Sequence, residues 1–408
     1  MGHGELSDRL HALEGMEAVL PALDGLPPAY LVGGAVRDLL RGARTVDLDV
    51  CMEGDAVAAA GVLAERLGGE AVAHERFGTA TVRAGRLSVD LARTRRETYE
   101  RPGALPVVEP AGLEEDLGRR DFTVNAMAAA LAADELGQVH DPHGGRRDLA
   151  DGVIRVLHPR SFLDDPTRLL RAVRYEARLG GAMDAATEAR AREAVADGAP
   201  ATVSGSRVRE ALLDLLSEEE VPRAVGRLAE LGLDRALHPA LRADEARAAA
   251  AALASLETGA DRNLAVLATL LVDAPEELAP WLEGLGLTRS ARERVARAAR
   301  TAPALALALE GERTASELHA LMSPEPPETL AVALALGAPA EPVLRFLSDL
   351  RGIRLEVTGA ELLEAGAAPS PALGRALEET LRRKLDGEVA GREEELRVAL
   401  ELVGGARR

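Results

Sequence analysis

Near residue 155 the texture of the chain changes, and that boundary limits the possible folds more than any other feature. Before it, short β-branched runs alternate with helical stretches: 29–32, 46–50, 79–83 and 87–92 read as strands, and 55–67 reads as a helix between them. Ala84-Gly85-Arg86 separates the last two strands and predicts a hairpin turn. After the boundary the sequence is almost wholly Ala, Leu, Arg and Glu at helical spacing. Gly180-Gly181, Pro200, Pro239, Pro275, Pro303 and the proline cluster at 324–327 punctuate it. The expected fold is therefore α+β, a small mixed α/β head followed by an all-α remainder. A length of 408 residues leaves room for about two to four domains. No fixed-period repeat and no long low-complexity linker interrupts this pattern.

Composition narrows the function. Apolar residues make up 47% of the chain, enough for a large core, but only 2% are aromatic, which argues against binding nucleic acid on stacked rings. A net charge of -18 argues against indiscriminate polyanion binding, although a local arginine face can act within an acidic protein. The single cysteine, Cys51, excludes an internal disulfide and a multi-cysteine metal site, and fits a reducing cytosol. Residues 1–13 carry Glu5, Asp8 and Arg9 and no continuous apolar core, so no signal peptide is expected. No apolar run approaches the roughly 18 residues of a membrane span. A soluble, cytoplasmic protein with no membrane partner is expected.

Three constellations carry chemistry. The first is Leu31-Val-Gly-Gly-Ala-Val-Arg-Asp38 followed by Asp47-Leu-Asp49. Gly33 and Gly34 sit between a predicted strand and a predicted helix, where backbone N–H groups can approach a phosphate; a bare strand-to-helix turn would look the same. Arg37 lies one turn further on, near the same anion. Asp47 and Asp49 alternate on one strand, so both carboxylates project from the same face while Val46, Leu48 and Val50 point into a core. Paired carboxylates repel unless divalent cations bridge them. Magnesium, a hard cation usually shared with substrate phosphates, fits that donor set. Asp90, in Ser88-Val-Asp-Leu-Ala92, reads either as a third carboxylate on a neighbouring strand or as a polar residue on an exposed face.

The second constellation is Glu114-Glu-Asp-Leu-Gly-Arg-Arg-Asp-Phe-Thr-Val-Asn-Ala-Met127. If Arg119 and Arg120 lie on a helix they diverge by about 100°. One can then hold a nucleotide while the other pairs with Glu114 or Glu115; a salt-bridged helix surface fits the composition as well. Asp141-Pro-His-Gly-Gly-Arg-Arg-Asp148 reads as a turn closing the head.

The third constellation begins Asp164-Asp-Pro-Thr-Arg-Leu-Leu-Arg and runs to Arg178. Asp165 suits an N-cap and Pro166 a first helical position. Arg168, Arg171, Arg174 and Arg178 fall within an arc of roughly 120°, with Leu169, Leu170, Val173 and Ala177 opposite. A stripe of one sign, shared only with Tyr175, calls for an anion. At its head Asp165 accepts hydrogen bonds and Arg168 donates them. That pattern complements the amino donor and adjacent ring-nitrogen acceptor of cytosine and of adenine, and opposes uracil and guanine.

In this order the motifs closely resemble the class II tRNA nucleotidyltransferase and poly(A) polymerase family of the polymerase beta superfamily, through residues 30–49, 113–127 and 141–180. The stretch Thr358-Gly-Ala-Glu-Leu-Leu-Glu-Ala-Gly366 also resembles a helical C-terminal segment of bacterial members. The resemblance implies that Gly34 and Arg37 contact the incoming nucleotide, that Asp47 and Asp49 hold magnesium, and that Arg120 is the nucleotide contact of the Arg-Arg pair. It implies that Asp165 and Arg168 read the base and that Arg171 and Arg174 meet the triphosphate. It further implies a nucleotidyltransferase head over 1–155, a neck over 156–220, a body over 221–345 and a tRNA-gripping tail over 346–408.

The expected activity is addition of C and A to the tRNA 3′ end from CTP and ATP. After residue 160 the only histidines are His238 and His319, so no phosphohydrolase metal site of the kind some members carry is expected. The segment Arg95-Arg-Glu-Thr-Tyr-Glu-Arg101 occupies the place of the loop that switches full CCA-adding members from C to A, and an apolar stretch follows it. Full CCA addition is favoured, with a CC-only or A-only specialist left open. A poly(A) polymerase would need a basic extension this acidic chain does not display. A non-catalytic RNA-binding relative would have no need for the Asp47/Asp49 pair.

Overall fold

The computed structural model describes residues 3–43, 48–74, 78–273 and 278–405, and the alternating runs of the first third do form a sheet. Its strands are β1 (Ala29–Val32), β2 (Leu48–Met52), β3 (Glu70–His74), β4 (Thr79–Ala84) and β5 (Leu87–Arg93). After a separate two-stranded ribbon, β6 (Arg95–Thr98) with β7 (Val107–Pro110), come β8 (Ala128–Ala130) and β9 (Val139–His140). The sheet order is β3-β4-β5-β2-β1-β8-β9. Every neighbouring pair is antiparallel except β2 and β5, which run parallel.

The predicted strand at 46–50 is described only from Leu48 and continues to Met52; residues 46 and 47 lie outside the described residues. The hairpin forms as expected. Ala84 pairs with Leu87, and Gly85, at φ 60, occupies the first position of a two-residue loop, which type II′ turns reserve for glycine.

Alternation in these strands divides the sheet faces. Leu31, Leu48, Val50, Val82, Val89 and Leu91 are buried on one face. There they pack with α1 (His3–His11), α2 (Met16–Ala22), α3 (Gly34–Arg41) and α4 (Ala56–Leu67), through Leu10, Met16, Val36 and Leu63 among others. Each such side chain contributes about 1.5–3 kcal/mol of burial. Helix α4 starts where predicted, because the Asp55 carboxylate accepts from the N–H groups of Val57 and Ala58 at 3.1 and 3.0 Å. On the other face a smaller cluster of Val32, Cys51 and Ala128 lies under Leu113 and Leu117 of α5 (Leu113–Gly118). Asp49 and Asp90 are exposed on their strands.

The 141–148 stretch is more than a turn. Asp141 caps the N–H groups of Gly145 and Arg146, starting α6 (Gly145–Asp151). Beyond it come α7 (Ser161–Asp164), α8 (Thr167–Leu179), α9 (Ala185–Ala196) and α10 (Gly205–Leu216). One departure from the all-helical expectation is a short parallel pairing of Val153–Ile154 with Ala182–Met183.

The chain divides into two compact units, residues 1–220 with 230–237, and residues 221–229 with 238–408. The first contains both the predicted head and the predicted neck. In the second, helices Glu245–Thr258, Arg262–Thr269, Arg289–Ala308 and Pro327–Ala335 pack together, and Ala372–Leu385 pairs with Arg392–Gly405. No described helix is long and apolar enough to cross a membrane.

Candidate active site

The turn from β1 into α3 requires glycine. Gly33 has φ 68 and ψ -130, and a Cβ there would stand 2.9 Å from Arg120 Nη1. Gly34 then opens the helix, whose first N–H groups lack intrahelical partners. Arg37 does not reach outward as a lone anion contact. It is only 3% exposed, and its Nε and Nη2 donate to the two carboxylate oxygens of Asp38 at 2.9 Å each. Its Nη1 donates to Asn125 Oδ1 at 2.6 Å, and the guanidinium lies over the Tyr175 ring.

The two arginines at 119 and 120 fall past the end of α5, so the helical divergence expected of them does not arise. Both converge on Asp116, which is 1% exposed: Arg119 Nε donates to Oδ1 at 2.9 Å and Arg120 Nη2 to Oδ2 at 3.0 Å. Burial, the largest influence on the Asp116 carboxyl, would raise its pKa, but the two guanidiniums hold it below the usual range. Glu114 and Glu115, the expected partners, are not the acids used. Glu97 of β6 braces the other side, accepting from Arg119, Arg95 and the Tyr99 hydroxyl at 2.8, 3.1 and 3.1 Å. Arg120 Nε is buried with no hydrogen-bond partner among the described residues.

Helix α8 begins at Thr167, one residue later than expected, and Asp165 Oδ1 accepts from the Thr167 N–H at 3.0 Å. Leu169, Leu170, Val173 and Ala177 are buried, as the apolar face requires. The arginine stripe, however, is met by the protein's own groups. Arg168 donates to Ser161 Oγ and to the Arg119 carbonyl, both at 2.7 Å. Arg171 pairs with Asp121 at 2.5 Å. Arg174 turns to Asp214 and Glu218 at 2.5 and 2.6 Å, and Arg178 stands 3.9 Å from Asp38. Carboxylates distant in sequence thus meet Arg171, Arg174 and Arg178, while Arg168 is held by a hydroxyl and a carbonyl.

These elements enclose a cavity of about 460 Å³. Of the anticipated residues, Gly33, Gly34, Arg37, Asp49, Arg120, Asp165, Arg168 and Arg171 line it together. Arg174 and Asp90 are not in the lining, and Asp47 lies outside the described residues. Asp90 nevertheless stands in register with Asp49 across the parallel β2–β5 pair, and accepts from Thr81 Oγ1 at 2.5 Å.

The cavity also contains residues given no role from sequence, chiefly Asp121, Asn125, Tyr99 and Tyr175. Asp121 Oδ1 accepts from Asn125 Nδ2 at 3.0 Å, so Arg171, Asp121, Asn125, Arg37 and Asp38 form one continuous chain. The spacing Asp121-Phe-Thr-Val-Asn125, directly after the Arg-Arg pair, was the available signal. The Tyr99 phenol is pushed up to about 12 by burial and by Glu97. Burial likewise pushes the Cys51 thiol up to about 12, which keeps it protonated. A larger hollow of about 770 Å³ along Arg289–Ala308 is lined by arginines paired with Glu283, Glu293, Glu325 and Glu328.

Comparison with known proteins gives the family. Residues 29–155 match the Poly A polymerase head domain. The chain is 36% identical to an A-adding tRNA nucleotidyltransferase of Geobacter sulfurreducens over 93% of its own length but 46% of that protein's. It spans about half or less of the length of this and two other A-adding relatives. It is 34% identical to a CC-adding tRNA nucleotidyltransferase of Deinococcus radiodurans, over 92% of this chain and 89% of that one. Among solved structures, a Thermotoga maritima CCA-adding enzyme complexed with tRNA superposes with a TM-score of 0.80 at 30% identity, covering 100% and 99% of the two chains. A CCA-adding enzyme with CTP gives 0.84 at 28% identity, over 99% and 98%. One with ATP gives 0.83 at 30% identity, over 99% and 96%.

Proposed function

The chain belongs to the class II tRNA nucleotidyltransferase family, and from that premise we propose that it completes tRNA 3′ ends by adding C and A from CTP and ATP, with release of pyrophosphate. One observation carries the reading: a single cavity joins the Gly33-Gly34 turn, Asp49, Arg120 and the Asp165/Arg168 pair.

In this account the triphosphate lies against the start of α3. The N–H of Gly34, Arg120 and Arg171 take its charge, while Arg37 stiffens the turn from beneath. Asp165 accepts from the amino group of cytosine or adenine, and Arg168 donates to the neighbouring ring nitrogen. Arg168 stays in place because Ser161 and the Arg119 carbonyl occupy two of its five N–H donors. Arg174 supports this helix through Asp214 and Glu218 rather than touching phosphate.

The donor set at Asp49, with Asp47 of the same motif and Asp90 alongside, consists of carboxylate oxygens. That suits a hard divalent cation such as magnesium. Asp47 and Asp49 would hold it, and when bound it supplies charge neutralisation at the transferred phosphate and activation of the attacking 3′-hydroxyl. Asp90, hydrogen-bonded to Thr81, would orient the Asp49 strand end or join the ligands. The head is read as 1–155, the neck as 156–220, the body as 221–345 and the tRNA-gripping tail as 346–408, in a cytoplasmic enzyme.

Support for using both nucleotides comes from the end-to-end likeness to CCA-adding enzymes solved with CTP and with ATP. An A-adding specialist is the second reading, favoured by identity to A-adding relatives of which this chain spans about half or less. Sequencing the products on tRNA lacking all three residues and on tRNA ending in CC separates the two. With CTP alone the first substrate should gain two residues and stop; with ATP alone the second should gain one. Failure on the first with success on the second identifies the A-adding specialist.

A further inference from the structure

Arg207 sits on α10, outside every motif that draws attention in the sequence, yet its guanidinium ties together two segments beside the cavity. Its Nη2 is 2.7 Å from Asp165 Oδ1, and its Nη1 donates to the Gly103 carbonyl at 3.1 Å. Gly103 belongs to the connection between β6 and β7, and that connection is closely seated. The Gly103 N–H donates to the Leu163 carbonyl at 3.2 Å, φ is 69, and a Cβ would stand 2.3 Å from Thr202 Oγ1.

The consequence lies at Asp165. Two donors and a cation converge on its Oδ1: the Thr167 N–H at 3.0 Å and the Thr167 hydroxyl at 2.6 Å donate to it, and the Arg207 guanidinium forms an ion pair with it at 2.7 Å. A carboxylate oxygen offers about two lone-pair sites, so Oδ1 is saturated and Oδ2 is the acceptor left for a base. Thr167 alone cannot fix the plane of the carboxylate, because the terminal torsion of aspartate is broad and nearly two-fold. The Arg207 charge, arriving from a different helix and held there by the Gly103 carbonyl, does fix it.

We infer that Arg207 is a positioning residue for base selection: it sets the plane of the Asp165 carboxylate and makes that setting depend on the seated Gly103 segment. The inference rests on Asp165 reading the base. A planar fork is needed for both contacts, so lysine cannot replace arginine here despite equal charge.

The test uses the full chain with tRNA ending before C and measures single-turnover kcat/KM for CTP and for UTP. Variants are Arg207→Lys, Arg207→Gln, Asp165→Ala and the Arg207→Lys/Asp165→Ala double, each with a melting curve. Arg207→Lys should lower the CTP/UTP ratio by about 10- to 100-fold, the scale of a misplaced contact group. KM for CTP should change little, because the triphosphate contacts are untouched. The double variant should show the same ratio as Asp165→Ala alone. If Arg207→Gln does not fold, Arg207→Lys, which keeps a cation near Asp165, carries the test.

A wild-type ratio in Asp165→Ala would remove the base-reading assignment, and this inference with it. A collapsed ratio in Asp165→Ala beside a wild-type ratio in the folded Arg207 variants would overturn the inference alone. An Arg207 effect that persists in the absence of the Asp165 carboxylate would also overturn it, since Arg207 would then act by another route.

Discussion

Replacing Asp121 with asparagine removes one charge while keeping the shape of the side chain, at the point where two arginines of the cavity are joined. The Asp121 carboxylate is 7% exposed and accepts from Arg171 Nε at 2.9 Å, Asn125 Nδ2 at 3.0 Å and the Phe122 N–H at 2.8 Å. Burial is the largest influence on it and would raise its pKa. The Arg171 charge, with Asn125, outweighs burial and holds the carboxyl below the usual range. Breaking a fully buried pair costs about 3–5 kcal/mol. The Arg171 side chain is 37% exposed, so water offsets much of that loss. Between the buried value and the ~1 kcal/mol of a surface pair, about 2 kcal/mol is expected. For a unit of this size that corresponds to a Tm lowered by roughly 4–8 °C.

The kinetic signature is as specific. Arg171 and, through Asn125, Arg37 lose their shared anchor, so KM for CTP and ATP should rise together, by about tenfold if one charge-assisted hydrogen bond is lost. The CTP/UTP ratio should stay at wild type, because Asp165 is not part of this chain. Calorimetry and single-turnover kinetics on the same preparation measure both effects. An unchanged Tm with unchanged KM would refute the anchoring role, and a selective loss of CTP over UTP would refute the separation of phosphate grip from base reading.

Gly33→Ala should destabilise by about 1–2 kcal/mol, because an L residue there takes a left-handed φ. Its methyl also meets Arg120 Nη1, so kcat/KM should fall for CTP and ATP alike; wild-type kinetics would show that the turn does not hold Arg120 in place. Asp116 and Asp121 both have folded pKa values depressed by arginines, so their stabilisation is present above the unfolded carboxylate pKa of about 3.9 and is lost as pH falls through the folded values. Thermal melting from pH 7 downward should show Tm dropping from near pH 4, less steeply in Asp121→Asn; identical slopes would assign the acid sensitivity elsewhere.

What could be read from the sequence was local. Strand alternation and the Asp55 cap fixed the elements around the Gly33-Gly34 turn to within a residue or two, because each depends on neighbours in the chain. The Asp165/Arg168 pair was legible for the same reason, since a cap and a helix face are short-range features. Partners brought together by folding were not. Arg171 and Asp121 are 50 residues apart, and Arg174 and Asp214 are 40 apart, so no helical-wheel argument could show that these arginines of the stripe are paired within the protein. The expected helical divergence of Arg119 and Arg120 does not arise because α5 stops at Gly118, and burial of Asp116 rather than Glu115 depends on how that helix lies on the sheet. Arg207 carried no signal at all, because its role arises only where α10 meets the start of α8.

The central claim is that nucleotidyl transfer takes place in the cavity lined by Asp49, and one measurement bears on it directly. Single-turnover transfer of C and of A to tRNA is compared between wild type and Asp49→Ala, with tRNA affinity measured on the same samples. Both transfers should be abolished while tRNA binding stays within about twofold, a change of under ~0.5 kcal/mol. Retention of more than about a tenth of wild-type turnover, equivalent to a loss of less than roughly 1.4 kcal/mol in the barrier, would contradict it.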